Sequence, residues 1–94
     1  MELKDKIAEI VPEDDEFQAD VDGTTCVLDR NDDGFFLNAH GGKNSAHIEF
    51  SPDLQILRAD GELNGIDCKD VDAIREHFMH LIQQCVDLRW ARRS

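Results

Sequence analysis

The sequence predicts an α+β fold: an antiparallel meander of four or five strands, with a short N-terminal helix and a long C-terminal helix packed on one face. Two observations support this prediction. Apolar and polar residues alternate through the middle of the chain, in short runs separated by turn-forming residues. Towards the C-terminus, apolar residues instead recur at steps of three and four, the spacing of a helix. With 94 residues, the chain is expected to form a single domain over 1–94.

The N-terminal helix is predicted over residues 2–11. Its apolar residues form one stripe at helical spacing: Leu3, Ile7, Ile10 and Val11. Pro12 is expected to end this helix, because proline disfavours helical geometry in the residue before it. The acidic run at 13–16 follows, and it is interpreted either as a solvated linker or as part of an anionic recognition face.

Strands are predicted where the apolar period changes to two, over 17–21, 24–30, 35–39, 46–50 and 54–59. Asp22-Gly23, between the first two, is a strong signal for a two-residue hairpin. The other connections are also short and contain asparagine, aspartate, glycine or proline. Short connections bring sequence neighbours together as antiparallel pairs. The alternation indicates that one face of the sheet packs on a core and the other faces water.

The C-terminal helix has the strongest signal. Its apolar residues step by three and four: Val71, Ile74, Phe78, Leu81, Cys85 and Leu88. Asp67 is predicted to be the N-cap of this helix. The stripe also fits the seam of a dimeric coiled coil. It covers fewer than three heptads, however, and an antiparallel sheet needs a cover for its apolar face, so we expect the helix to pack on the sheet.

The chain has a formal net charge of −11, and that charge is unevenly distributed. The first 33 residues contain twelve carboxylates and three cations, whereas the last 26 residues have a net charge of +1. Direct binding of nucleic acid or anionic lipid is not expected, because both require lysine and arginine to replace counterions. A basic protein surface is a more natural partner. The alternative is that the charge only keeps the protein dissolved.

The predicted partner-binding residues are carboxylates of the N-terminal third: Glu9, Glu13, Asp14, Asp15, Glu16, Asp20, Asp22, Asp29, Asp32 and Asp33. They would replace phosphates opposite a groove lined by arginine and lysine. The predicted function is that of a small, non-enzymatic binding protein that inhibits or escorts a basic partner, for example one that binds nucleic acid. DNA-mimicking phage inhibitors of restriction or CRISPR systems have this general size and charge, and so do immunity proteins and export chaperones.

A small basic and aromatic region near the C-terminus is a candidate dimer contact: Met79, Arg89, Trp90, Arg92 and Arg93. Trp90 either covers the core or serves as an exposed contact anchor. The arginines could pair with the acidic segment of a second copy and give a homodimer. A self-associating structural or assembly domain is therefore the alternative functional prediction.

No metal site, cofactor or catalytic residue is predicted, and the chain is not expected to be an enzyme. The segment from Asp29 to Gly34 matches the opening of an EF-hand calcium loop, but position 12 of that loop is His40 instead of glutamate. Its flanks are strand-like, so a hairpin turn is the favoured interpretation. A metal-binding accessory domain using Cys26, His40 and His47 is less favoured, since their spacing matches no known site.

The chain has three cysteines: Cys26, Cys68 and Cys85. They indicate in which cellular compartment the protein is expected and whether a reactive thiol is expected. Three thiols cannot all pair within one chain, so reduced cysteines and a cytoplasmic location are expected. Cys68 lies near the start of the C-terminal helix, where the helix dipole could lower its pKa, but no oriented base accompanies it. The apolar runs are too short to span a membrane, and no signal peptide is expected at the N-terminus.

Overall fold

Two helices flank a six-stranded antiparallel sheet, so the predicted fold class is confirmed. The structure, a computed structural model, describes residues 1–14 and 16–93, with the backbone alone for 12–14 and 93. Helix α1 spans Leu3–Asp14 and helix α2 spans Val71–Arg93. The strands are β1 (Glu16–Val21), β2 (Thr24–Asn31), β3 (Gly34–Gly41), β4 (Asn44–Phe50), β5 (Ile56–Leu63) and β6 (Ile66–Asp67). They lie in the sheet in chain order, each antiparallel to the next.

Tight turns make this strand order possible. Asp22 and Gly23 connect β1 to β2 with φ values of 49° and 84°, the left-handed pair that a type I′ turn requires. The hairpin predicted at this position is confirmed. Asn64 and Gly65 connect β5 to β6 in the same way, with φ values of 54° and 80°. Turns of this type match the twist of the flanking strands and fix which residues pair.

The core lies between one face of the sheet and the two helices. The sheet contributes alternate residues of its strands, among them Phe17, Ala19, Cys26, Leu28, Leu37, Ala39, Ile48 and Phe50. Helix α2 contributes four of the six residues of its predicted apolar stripe, Ile74, Phe78, Leu81 and Cys85. The Phe78 ring meets the ring of Phe50 edge to face with centroids 5.2 Å apart. Burying one side chain of this size stabilises the fold by ~2 kcal/mol. The expectation that the C-terminal helix covers the sheet is therefore confirmed.

Both helices pack against the same face of the sheet. Helix α2 contacts β1, β5 and β6, and helix α1 contacts β1 and β2. The opposite face, here called the open face, is covered by neither helix and by no other element of the described residues. An antiparallel sheet with one packed and one uncovered face is what the alternation of apolar and polar residues predicted.

The first helix is longer than predicted. Pro12 was expected to end it, but α1 continues to Asp14. A proline lacks one N–H and so removes one helical hydrogen bond, a loss that the last turn tolerates because the buried stripe before it anchors the helix. Of the acidic run, Glu13 and Asp14 end α1 and Glu16 begins β1, whereas Asp15 lies outside the described residues.

The far edge of the sheet also differs from the prediction. A strand was expected over 54–59, but β5 begins only at Ile56 and runs to Leu63. Leu54 has a φ of 65° and lies in a turn, where its N–H donates to the carbonyl of Ser51 at 2.9 Å. Strand β6 was not predicted, although Asn64-Gly65 is a hairpin signal of the same kind as the one before β2.

The N-cap of α2 lies three residues later than predicted. Helix α2 begins at Val71, and the carboxylate of Asp70 accepts a hydrogen bond from the N–H of Ala73 at 3.3 Å, as an N-cap does. The assignment of Asp67 as the N-cap was wrong. Its carboxylate instead accepts from the N–H of Lys69 at 2.9 Å, in the turn that follows β6.

Candidate functional site

Three rows of side chains cross the open face of the sheet. Residues that lie directly opposite one another on paired strands share a face, so the register defines each row. The first row is Asp20, Thr25, His40, Ser45, Glu62 and Asp67. The second row is Gln18, Val27, Asn38, His47 and Asp60. The third row is Glu16, Asp29, Phe36, Glu49 and Arg58.

Negative charge dominates these rows. Their carboxylates come from five of the six strands: Glu16, Asp20, Asp29, Glu49, Asp60, Glu62 and Asp67. Within the rows, Arg58 is the one lysine or arginine, and its Nε donates to Asp60 at 3.0 Å. That pair is largely exposed, and exposed ion pairs contribute little to stability. The open face therefore presents an anionic surface about 24 Å wide, since neighbouring strands lie ~4.8 Å apart.

The centre of the open face is aromatic. The rings of His40 and His47, on the neighbouring strands β3 and β4, meet edge to face with centroids 5.0 Å apart. The Phe36 ring lies 6.3 Å from that of His47, and Nδ1 of His47 shares a hydrogen bond with Oδ1 of Asn38. A shallow depression lies between Phe36, His47, Glu49 and Asp60. Aromatic residues are enriched at the centres of protein interfaces, and charged residues are more common at their rims.

The structure brings together only some of the predicted partner-binding carboxylates. Glu16, Asp20 and Asp29 lie on the open face. Asp22 lies in the β1–β2 turn at one end of the sheet. The β2–β3 turn, with Asp32 and Asp33, lies at the opposite end, about 27 Å away, since eight-residue β2 rises ~3.4 Å per residue.

Of the remaining predicted carboxylates, those that the structure describes belong to α1. Glu9 is exposed on α1, on the helical side of the molecule. Glu13 and Asp14 form the last turn of α1. Asp15 lies outside the described residues. The prediction of one continuous patch from the N-terminal third thus joins residues that the fold distributes over several regions.

Four carboxylates of the open face were missed by the sequence analysis: Glu49, Asp60, Glu62 and Asp67. For Glu49 the sequence does contain a signal. Apolar and polar residues alternate within 46–50, which places the Glu49 side chain on the face opposite to the buried residues. The prediction followed the density of charge along the chain. On the open face the carboxylates are concentrated across neighbouring strands, and this concentration can be recognised only when the strand register is known.

The candidate dimer contacts lie on the helical side, away from the open face. Met79 and Trp90 are partly buried against the core, and the Nζ of Lys6 lies 5.8 Å from the centroid of the Trp90 ring. Trp90 therefore covers the core, the first of its two predicted roles. Arg89 is half-buried and Arg92 is exposed, while the side chain of Arg93 lies outside the described part of the chain. The homodimer stays a prediction.

The metal hypothesis receives no geometric support. Cys26 is 1% exposed and faces the core, whereas His40 and His47 face the opposite side of the same sheet. Among the described residues, no group of three or more histidine, cysteine, aspartate or glutamate side chains is arranged to hold a metal ion. The calcium-like segment is a hairpin turn between two strands, in which the Asn31 side chain accepts from the N–H of Asp33 at 2.9 Å.

The cysteines are buried, and this determines their chemistry. Burial raises the pKa of the Cys68 thiol, and the carboxylates of Asp67, Asp60 and Glu62 raise it further. Burial and these carboxylates therefore oppose the lowering of the Cys68 pKa that the helix dipole could produce. Cys85 lies in the core as its place in the apolar stripe predicted, and its hydrogen bond with Cys26, together with burial, raises its pKa. Cys68 and Cys85 are therefore buried thiols held in the protonated form, which makes them poor nucleophiles.

Comparison with known proteins adds no assignment to this geometry. No family model, curated protein sequence or solved structure matches the chain. In the described residues, no helix combines the length and the apolar character needed to cross a lipid bilayer. The open face, with its concentration of carboxylates, is therefore the candidate functional site.

Proposed function

We propose that this protein is a small, non-enzymatic binding protein that inhibits or escorts a basic protein partner, and that it recognises this partner with the open face. The observation that supports the proposal is the composition of that face, where the carboxylates of five strands are accompanied by the single guanidinium of Arg58. A nucleic-acid-binding groove is a natural target, because its arginine and lysine side chains are already arranged to meet an array of anions.

The spacing of the carboxylates fits this role. Side chains at alternate positions of one strand, such as Asp60 and Glu62, lie ~7 Å apart, and those on adjacent strands lie ~5 Å apart. The face is therefore a two-dimensional array of negative charge on a rigid sheet, not a flexible acidic tail. Rigid presentation reduces the entropy that is lost on binding.

The field of such a face acts mainly on association. Complementary charge accelerates encounter and excludes partners of like charge, and its effect declines as salt screens it. The aromatic centre at Phe36 and His47 would supply the contacts that persist when the charges are screened. Binding should therefore weaken with salt without disappearing.

Charge reversal on the open face tests the proposal. Glu49→Lys with Glu62→Lys changes the face by four charge units and replaces side chains that point away from the core. The matched control is Glu9→Lys with Glu76→Lys, which makes the same change in net charge at exposed helical positions. Proteins from a lysate are captured on each variant and quantified by mass spectrometry.

We expect the wild type and the helical control to capture the same basic protein, and the open-face variant to lose it. The captured amount should also fall as salt is raised. Equal capture by both variants would show that only net charge matters, and loss on the helical control alone would move the interface to α1 and α2.

A further inference from the structure

Strand β1 is an edge of the sheet, with a hydrogen-bonded neighbour on one side only. It pairs with β2 through a two-residue type I′ turn, so Val21 and Thr24 exchange both of their backbone hydrogen bonds. In an antiparallel ladder the bonded positions alternate, so Phe17, Ala19 and Val21 bond to β2. The N–H and C=O groups of the residues between them must then point outwards, away from the sheet.

These outward-pointing backbone groups belong to Glu16, Gln18 and Asp20. All three residues are exposed, whereas their row neighbours on β2 are half-buried. No backbone hydrogen bond beyond the ladders engages them within the described residues. A row of donors and acceptors on an uncovered edge is a template for an additional strand.

A cleft lies directly beside this edge, on the helical side. Asp20, Val21 and Asp22 line it from the sheet, and Asp87 and Leu88 line it from α2, together with Gln84. Leu88 is 45% exposed, although it continues the apolar stripe of α2. The cleft has a volume of about 510 Å³, which is enough for a large aliphatic side chain.

We propose that the partner adds an extended basic segment to β1 as an antiparallel strand. This inference rests on the proposed function and specifies how its partner is recognised. Side chains of an added strand alternate between the two faces. On the open face they would lie opposite Glu16, Gln18 and Asp20, which favours lysine or arginine. On the helical side they would approach Val21 and Leu88, which favours an apolar residue in the cleft.

Charge selects this occupant over a second copy of the same chain. Two β1 strands paired edge to edge would bring Glu16 and Asp20 of each copy against those of the other, and like charges on paired strands are destabilising. The same carboxylates attract a basic strand. The edge is thus protected from self-association and is open to a partner of opposite charge.

The test uses the full chain and a synthetic peptide of seven residues that alternates lysine and valine. Binding is followed by nuclear magnetic resonance, and hydrogen exchange is measured for each β1 amide. The amides of Glu16, Gln18 and Asp20 should exchange rapidly in the free protein and slowly in the complex. The amides of Phe17 and Ala19 should be protected in both states.

Two N-methylated analogues make the test specific. In the proposed arrangement the lysine N–H groups point at β1 and the valine N–H groups point away. Methylating the lysine backbone nitrogens should weaken binding about tenfold or more, because each removes one hydrogen bond. Methylating the valine nitrogens leaves sequence and charge the same and should have little effect.

Several outcomes would overturn the inference while leaving the proposed function in place. The two analogues could bind equally well, with resonance shifts centred on Glu49 and Glu62, which would place a basic ligand on the open face without strand addition. The parent peptide could fail to bind to a chain that still captures its partner. Slow exchange at Glu16, Gln18 and Asp20 in the concentrated free protein would instead assign the edge to a second copy.

Discussion

Gly61 is a residue that both the backbone and its surroundings restrict to glycine. Its φ is 91°, in the region that residues with a side chain rarely adopt. A Cβ at this position would lie 1.8 Å from the carbonyl oxygen of Ser45, on the neighbouring strand β4. Gly65 has a similar φ of 80°, but a Cβ there would meet nothing within 4 Å. A comparison of alanine substitutions at these two glycines therefore separates the effect of backbone strain from the effect of a steric clash.

We predict that Gly61→Ala destabilises the protein much more than Gly65→Ala. The substitution at Gly65 adds only the strain of a left-handed alanine, ~1 kcal/mol. The substitution at Gly61 also pushes β5 away from β4 and should lower the free energy of unfolding by about 3 kcal/mol or more. Urea denaturation of both variants measures the difference. Equal losses would mean that β5 does not pass β4 this closely.

At the scale of elements, one cluster of polar side chains joins the two helices. The Nζ of Lys6 on α1 lies 3.2 Å from Oδ1 of Asp87 on α2, and the Nε2 of Gln83 donates to Oδ2 of Asp87 at 2.9 Å. The hydrogen bond from Gln83 and the charge of Lys6 hold the pKa of Asp87 below its usual value. A carboxylate with a lowered pKa in the folded state stabilises that state where it is ionised.

The pH dependence of stability should report this cluster. The contribution of Asp87 is present above the pKa of an unfolded aspartate, ~3.9, and is lost as pH falls through its lower folded-state pKa. The difference in unfolding free energy between wild type and Asp87→Asn should therefore be largest near neutral pH and should approach zero in acid. In a Gln83→Leu background, the neutral-pH difference should shrink. Urea unfolding at several pH values checks both expectations, and a difference that persists in acid would contradict them.

Some elements were predictable from sequence because local signals agree there. Strands β1 to β4 have clear alternation and short turns, so their predicted and observed limits nearly coincide. The helical side of β5 contains Ala59 and Gly61, which are small, and the apolar signal is correspondingly weak. Pro12 is a local signal of helix termination that tertiary packing overrides. The errors therefore occur where packing, not periodicity, decides the structure.

At the scale of the whole molecule, charge along the chain and charge in space have different distributions. A meander of antiparallel strands places the acidic N-terminal third on α1, on β1 and β2, and at both ends of the sheet. It also brings Glu49, Glu62 and Asp67 from later strands to the open face. The sequence therefore predicted the sign of the candidate face and three of its seven carboxylates. The other four reach the face through strand pairing, which no local pattern encodes.

The open face should be a source of instability in the free protein. Like charges on one surface repel, and the repulsion is relieved when one of them is reversed. We predict that Glu62→Lys, at the position opposite Asp67, raises the free energy of unfolding at low salt, and that this gain shrinks at high salt because salt screens the repulsion. The helical control Glu76→Lys, at an exposed position of α2, should gain less. Urea unfolding at two salt concentrations measures the gain, and a loss of stability in the open-face variant would contradict this account.

The order of the strands has a consequence for how the chain folds. Because every strand pairs with its immediate neighbour in sequence, each ladder closes only a small loop, and such local topologies fold quickly. Helix α2 supplies much of the cover for the apolar side of the sheet, yet it follows all six strands in the sequence. During synthesis on the ribosome the hairpins can therefore assemble while that side is still bare, and its apolar residues remain exposed until α2 emerges and docks.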